Sequence, residues 1–96
     1  MIVTHHAEKR IRQRLGLPKS AVQSIADKAE IYGHTADKFT GSFRRYMDSF
    51  YYNSGDAEKA IYHNGYMFLT KEDRLITVFR VPPMFRDVQP KKRTGQ

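Results

Sequence analysis

The chain has 96 residues, no cysteine, a net charge of +7, and an aromatic share of 12% made of six Tyr and six Phe. That length suits one small domain, and the aromatic content argues against wholesale disorder. Without cysteine there is no disulfide framework and no thiolate zinc site, and the longest apolar run falls well short of the roughly 20 residues that a membrane-spanning helix needs. No basic-then-apolar leader pattern opens the chain, so the expectation is a cytoplasmic protein with no membrane contact.

The charge is unevenly placed. In residues 1–20, Lys9, Arg10, Arg12, Arg14 and Lys19 stand against Glu8 alone. In residues 81–96, Arg86, Lys91, Lys92 and Arg93 stand against Asp87, while residues 21–80 balance. Positive charge concentrated at both ends favours a polyanionic partner, with nucleic acid first; the plainer reading is a solubilising surface.

Met1 to Val3 is a short apolar stub, expected to pack under a sheet. Thr4 is a plausible N-cap, and His5 to Leu15 should form a first helix, stopped by Gly16 in a left-handed position. Ala7, Ile11 and Leu15 make its apolar seam. His6, Arg10 and Arg14 recur at the same spacing one residue earlier, a polar row running for roughly 12 Å at the border of the core.

Pro18 is suited to the first turn of a second helix that should reach Tyr32. Ala21, Val22, Ile25, Ala26, Ala29 and Tyr32 follow the helical template, and Gly33 ends it. Residues 34–40 read as a polar connection. Thr40-Gly41-Ser42 can cap a third helix carrying Phe43, Tyr46, Met47, Phe50 and Tyr51 on one face. Strand competes there because the stretch is rich in aromatics; the helical period is the better match. Asn53 to Asp56 is a turn cluster.

The last third changes period. Ala60 to His63, Asn64-Gly65, and Tyr66 to Thr70 read as a β-hairpin with the strongest short turn signal. Lys71 to Arg74 is a second turn. Leu75 to Val81 is a third strand ended by Pro82-Pro83. Strict alternation puts Leu75, Thr77, Phe79 and Val81 on one face and Ile76, Val78 and Arg80 on the other. The fold class expected is α+β, two or three N-terminal helices packed on one face of a three-stranded antiparallel meander. Residues 1–85 form the domain and 86–96 a basic, loosely held tail.

The helix pattern His6-Ala7-x-x-Arg10-x-x-x-Arg14, followed much later by Leu75-Ile76-Thr77-Val78-Phe79, resembles small phage or prophage proteins of the barnase–EndoU–colicin–RelE ribonuclease superfold. The resemblance spans roughly residues 3 to 83. It implies a metal-independent endoribonuclease-like domain that cleaves RNA through the 2′-hydroxyl, or a close relative that has lost activity, with His6, Arg10, Arg14 and Thr77 as the catalytic set and His63 as a candidate acid partner. No cofactor and no metal are expected, since His5 and His6 are neighbours that point about 100° apart on a helix.

The chemistry suits these residue types. Imidazole titrates near neutrality, and guanidinium forks onto phosphate oxygens while staying charged. Each residue keeps a plainer alternative: His6 as a helix-start surface residue, Arg10 and Arg14 as a solvated face, Thr77 as an ordinary strand residue. Arg44, Arg45, Lys91, Lys92 and Arg93 are further candidates for nucleic-acid contact. Tyr46, Tyr51, Tyr52, Tyr62 and Tyr66 either stack on bases or pack the core. The alternative function is a non-enzymatic phage protein that binds nucleic acid, a nucleotide or a host protein, as an inhibitor or anti-defence factor does.

Overall fold

A computed structural model describes residues 1–53, 57–85 and 87–90, with the backbone alone for 51–53. In chain order the elements are β1 (Ile2–Val3), α1 (His5–Leu15), α2 (Lys19–Tyr32), α3 (Gly41–Asn53), β2 (Lys59–His63), β3 (Tyr66–Lys71) and β4 (Arg74–Arg80), with short 3-10 turns at Ala36–Lys38 and Pro83–Phe85.

Local signals place the boundaries. The Thr4 hydroxyl accepts a hydrogen bond from the Ala7 N–H at 3.2 Å, satisfying one of the orphan donors at the start of α1. Gly16 ends α1 at φ +68°, where a side chain would be strained. Pro18 is the N-cap of α2 rather than its first helical residue, a shift of one position. Residues 43–52 are helical, as their period indicates. Asn64 and Gly65 turn the β2–β3 hairpin with φ of +50° and +84°, the signs a type I′ turn requires.

The strands β2, β3 and β4 form the expected antiparallel meander, but the sheet has a fourth member. The apolar stub is part of the sheet as well as packed on it: Met1 and Val3 lie against the α1–α2-side core, while β1 joins the edge in parallel, with Ile2 opposite Arg74 and Val3 opposite Leu75, so the order is β1-β4-β3-β2. The pairing supplies hydrogen bonds that a buried stub would have lacked.

Helices cover both faces, not one. On the first face, Ala7, Ile11 and Leu15 of α1 and Val22, Ala26 and Ala29 of α2 enclose Ile61, Phe68, Leu75 and Val78. On the second, Phe39, Phe43 and Met47 close over Ala60, Met67, Leu69 and Phe85. The meander is apolar on both sides (β3 reads Met67-Phe68-Leu69, all buried), and a strand of that kind needs two covers. The stretch 34–40, read as a polar connection, buries Ala36 and Phe39 in the second core. Tyr32, placed on the apolar stripe of α2, is 65% exposed at its end.

The alternation expected along β4 breaks at one point. Leu69 pairs with Thr77 and Thr70 with Leu75, which leaves Ile76 as an extra, bulged residue. The bulge shifts the phase by one. Leu75 therefore shares a core with Val78 on the α1–α2 side, while Phe79 and Val81 pack on the α3 side. Thr77 stands opposite Leu69, a residue of the α3-side core.

Candidate functional site: a basic cleft beside the first helix

A cleft of about 440 Å³ lies where the first turns of α1 meet the start of β4. One wall is Thr4, His6, Ala7 and Arg10. The other is Lys71 and Arg74, which flank the β3–β4 turn, with Leu75 and the bulged Ile76 at its base. Three cations and one imidazole thus share a cleft whose lining contains no carboxylate. The nearest counter-charge is Glu72, whose carboxylate is 3.6 Å from the Arg74 guanidinium; both side chains are exposed, so this pair is worth little.

The α1 cap positions this wall. Ala7 is buried against the sheet and anchors the helix by its seam, so His6 and Arg10, at the seam's flank, are carried to the cleft. His6 itself is exposed, and among the described residues no side chain hydrogen-bonds its ring. Arg14 continues the row one turn further on, beside Arg10 and Gln13 at a second, shallower depression.

The other sequence candidates fall elsewhere. Thr77 faces the α3-side core and does not line the cleft. Arg44 and Arg45 lie on α3, across the sheet, and the Nε of Arg44 is held 3.1 Å from the Asp48 carboxylate one turn along. His63 is on β2, the edge strand opposite β1, where its ring stacks on Tyr32 at 6.5 Å between centroids. Burial pushes the His63 imidazole below its ordinary value, and the nearby His34 and Lys28 push the same way. Tyr46 is half-buried, edge-on to Phe50 and tilted against Phe85, with its phenol raised by burial. Lys91, Lys92 and Arg93 lie outside the described residues, as do Arg86, residues 54–56 of the expected turn cluster (Asn53 itself ends α3) and the side chains of Tyr51 and Tyr52.

Lys71 and Arg74 are the members that sequence reading missed. Their one signal is that two cations bracket the two-residue turn Glu72-Asp73; nothing local shows that this turn meets α1. A further residue escapes periodicity: Glu8 is 7% exposed, with its Oε1 lacking a hydrogen bond and sitting 3.9 Å from Arg12. It turns toward α2, sharing a depression with His5, Lys19 and Gln23. Among the described residues no group of three His, Cys, Asp or Glu side chains could hold a metal ion, and no helix is long and apolar enough to cross a membrane.

No protein-family model, no curated protein and no solved structure matches the chain.

Proposed function

We propose that this chain is a metal-independent endoribonuclease-like domain, of the kind carried by phages and mobile elements, whose working site is the cleft between α1 and β4. One observation carries the reading: a single imidazole converges with Arg10, Lys71 and Arg74 in a lining free of acids. The cations hold an RNA phosphate and offset the charge that builds up on its oxygens during attack. Neutral His6 takes the proton of the adjacent 2′-hydroxyl. The 2′-oxygen then bonds to phosphorus and the bond to the 5′-oxygen breaks. The Lys71 ammonium, an N–H donor in the same lining, passes a proton to the departing 5′-oxygen. The products are a 2′,3′-cyclic phosphate and a 5′-hydroxyl. Thr77, on the far side of the sheet, has no part in this scheme, and no cofactor is called for.

The test is digestion of mixed cellular RNA in excess EDTA by the protein and its His6→Ala variant, read on a denaturing gel with end-group analysis. Discrete cuts ending in cyclic phosphate, lost in the variant, are expected. Undiminished cutting by His6→Ala would remove His6 from the chemistry and the proposal with it.

A second reading is binding without cleavage, to nucleic acid, a nucleotide or a host protein. It is favoured by the exposed His6 ring, which no side chain among the described residues orients by a hydrogen bond. Salt-dependent RNA binding with no cleavage by either protein would select it.

A further inference from the structure

The hairpin end of the sheet carries a row of rings that the cleft does not use. The register sets His63 opposite Tyr66 and Tyr66 opposite Arg80, so the three side chains stand side by side on three neighbouring strands. Each is two residues from a member of the α1–α2-side core, namely Ile61, Phe68 and Val78, and alternation therefore turns all three to that face. Tyr66 itself packs against that core. At the β2 end of the row the last turn of α2 adds Tyr32, whose ring is inclined 26° to that of His63.

The row is open to solvent. Tyr32 is 65% exposed and its neighbour Ile31 71%; Arg80 is exposed, and His63 and Tyr66 are half-buried. The Tyr32 and His63 centroids are 6.5 Å apart, near the far end of the range for interacting rings, about 4.5–7 Å, so neither ring uses up the other's face. Burial, His34 and the exposed Lys28, one turn before Tyr32, all depress the His63 imidazole, which favours the uncharged form of the ring. Lys28 thus stands at one end of the row and Arg80 at the other. Neither forms an ion pair among the described residues.

We propose that Tyr32, His63 and Tyr66 form a platform for the unpaired bases of a single-stranded nucleic acid, with Lys28 and Arg80 holding its phosphates. Ring faces stack on any base, and flanking cations track the backbone between stacked bases. The net charge of +7 draws such a strand and opposes self-association through this surface. A protein partner is the weaker fit. Ile31 and Tyr32 are the large apolar side chains exposed here, which is few against the roughly 20–30 residues a side of a stable protein interface. The platform is separate from the cleft: β4 is seven residues long, so Arg80 at its end is about 20 Å from Arg74 at its start. Binding on the rings therefore does not depend on cleavage in the cleft, and it gives the strand a second hold.

The test uses the full, isotopically labelled chain and a 2′-O-methyl oligoadenylate of about eight nucleotides, within the usual site size for single strands. This probe has no 2′-hydroxyl to attack, so the outcome is independent of whether the cleft cleaves RNA. The ring resonances of Tyr32, His63 and Tyr66 are expected to move on titration, in the parent and in the Lys71→Ala/Arg74→Ala variant alike. Tyr32→Ala, at an exposed position, should weaken binding about fivefold or more, and Tyr32→Phe should keep it. The same strand stripped of its bases should bind at least about tenfold more weakly, although its phosphates are unchanged. Arg80→Ala should make the salt slope shallower by about 0.7. Rings that stay still while the cleft residues respond would overturn the proposal, as would Tyr32→Ala binding as tightly as the parent, or equal binding by the base-free strand. So would a Tyr32-dependent dimer that binds no nucleic acid, since that would assign the patch to a second copy of the chain.

Discussion

The placement of the basic cleft makes a quantitative prediction about single-stranded RNA binding. A bound phosphate neutralised by a cation releases condensed counterions, and each contact on a single strand adds about −0.7 to the slope of log affinity against log salt. The cleft offers Arg10, Lys71 and Arg74, so its own share of the slope is about −2, which corresponds to roughly a 20-fold loss of affinity between 50 and 200 mM salt. Lys71→Ala or Arg74→Ala should each make the slope shallower by about 0.7, and the double variant by about 1.4. Arg45→Ala removes the same formal charge from the exposed face of α3, across the sheet, and should leave the slope within about 0.2 of the parent. Thr77→Val should do the same, because Thr77 faces the second core. The assay is fluorescence anisotropy with a short labelled oligonucleotide, using the His6→Ala protein so that cleavage cannot interfere. A slope that shallows for Arg45→Ala and not for Lys71→Ala or Arg74→Ala would refute the assignment of the cleft.

Three further outcomes test the fold. A Cβ added at Gly33 would sit 2.3 Å from both the Ala29 carbonyl oxygen and the Ile61 Cγ2, so Gly33→Ala should cost about 2–3 kcal/mol and lower the thermal midpoint by roughly 10–20 °C. Because the Glu8 Oε1 is buried without a hydrogen bond, Glu8→Met should be neutral or raise stability by about 1 kcal/mol in urea unfolding; a clear loss would show that the 3.9 Å contact with Arg12 matters more than its length suggests. The His63 imidazole is held below its unfolded value of about 6.5, so its contribution is fully present above that pH and is lost as pH falls through the depressed folded value. Thermal midpoints should therefore drop from pH 6.5 toward pH 5, and His63→Gln should flatten that part of the profile.

Where a short-range signal governed the backbone, the sequence alone was enough. Thr4 and Gly16 bracket α1 because a hydroxyl meets an orphan N–H at one end and a residue free to adopt positive φ stands at the other. Asn64-Gly65 specifies the hairpin for the same conformational reason, and the spacing of Phe43, Met47 and Phe50 makes residues 41–53 a helix rather than a strand. The row of His6, Arg10 and Arg14 is likewise a property of helical period.

What lies opposite that row is not. One bulged residue, Ile76, reverses the facing of half of β4, and it was enough to carry Thr77 away from His6. No pattern within β4 marks the bulge, because it exists only as a mismatch in count between two paired strands. The parallel pairing of Val3 with Leu75 joins opposite ends of the chain, and it brings Lys71 and Arg74 up to α1. The choice of two helix layers over one depended on the burial of both faces of β3, which an apolar run is consistent with but does not demand. Local conformation was thus settled by residues a few positions apart. The make-up of the cleft was settled by strand register and layer packing, which depend on contacts between segments that share no local signal.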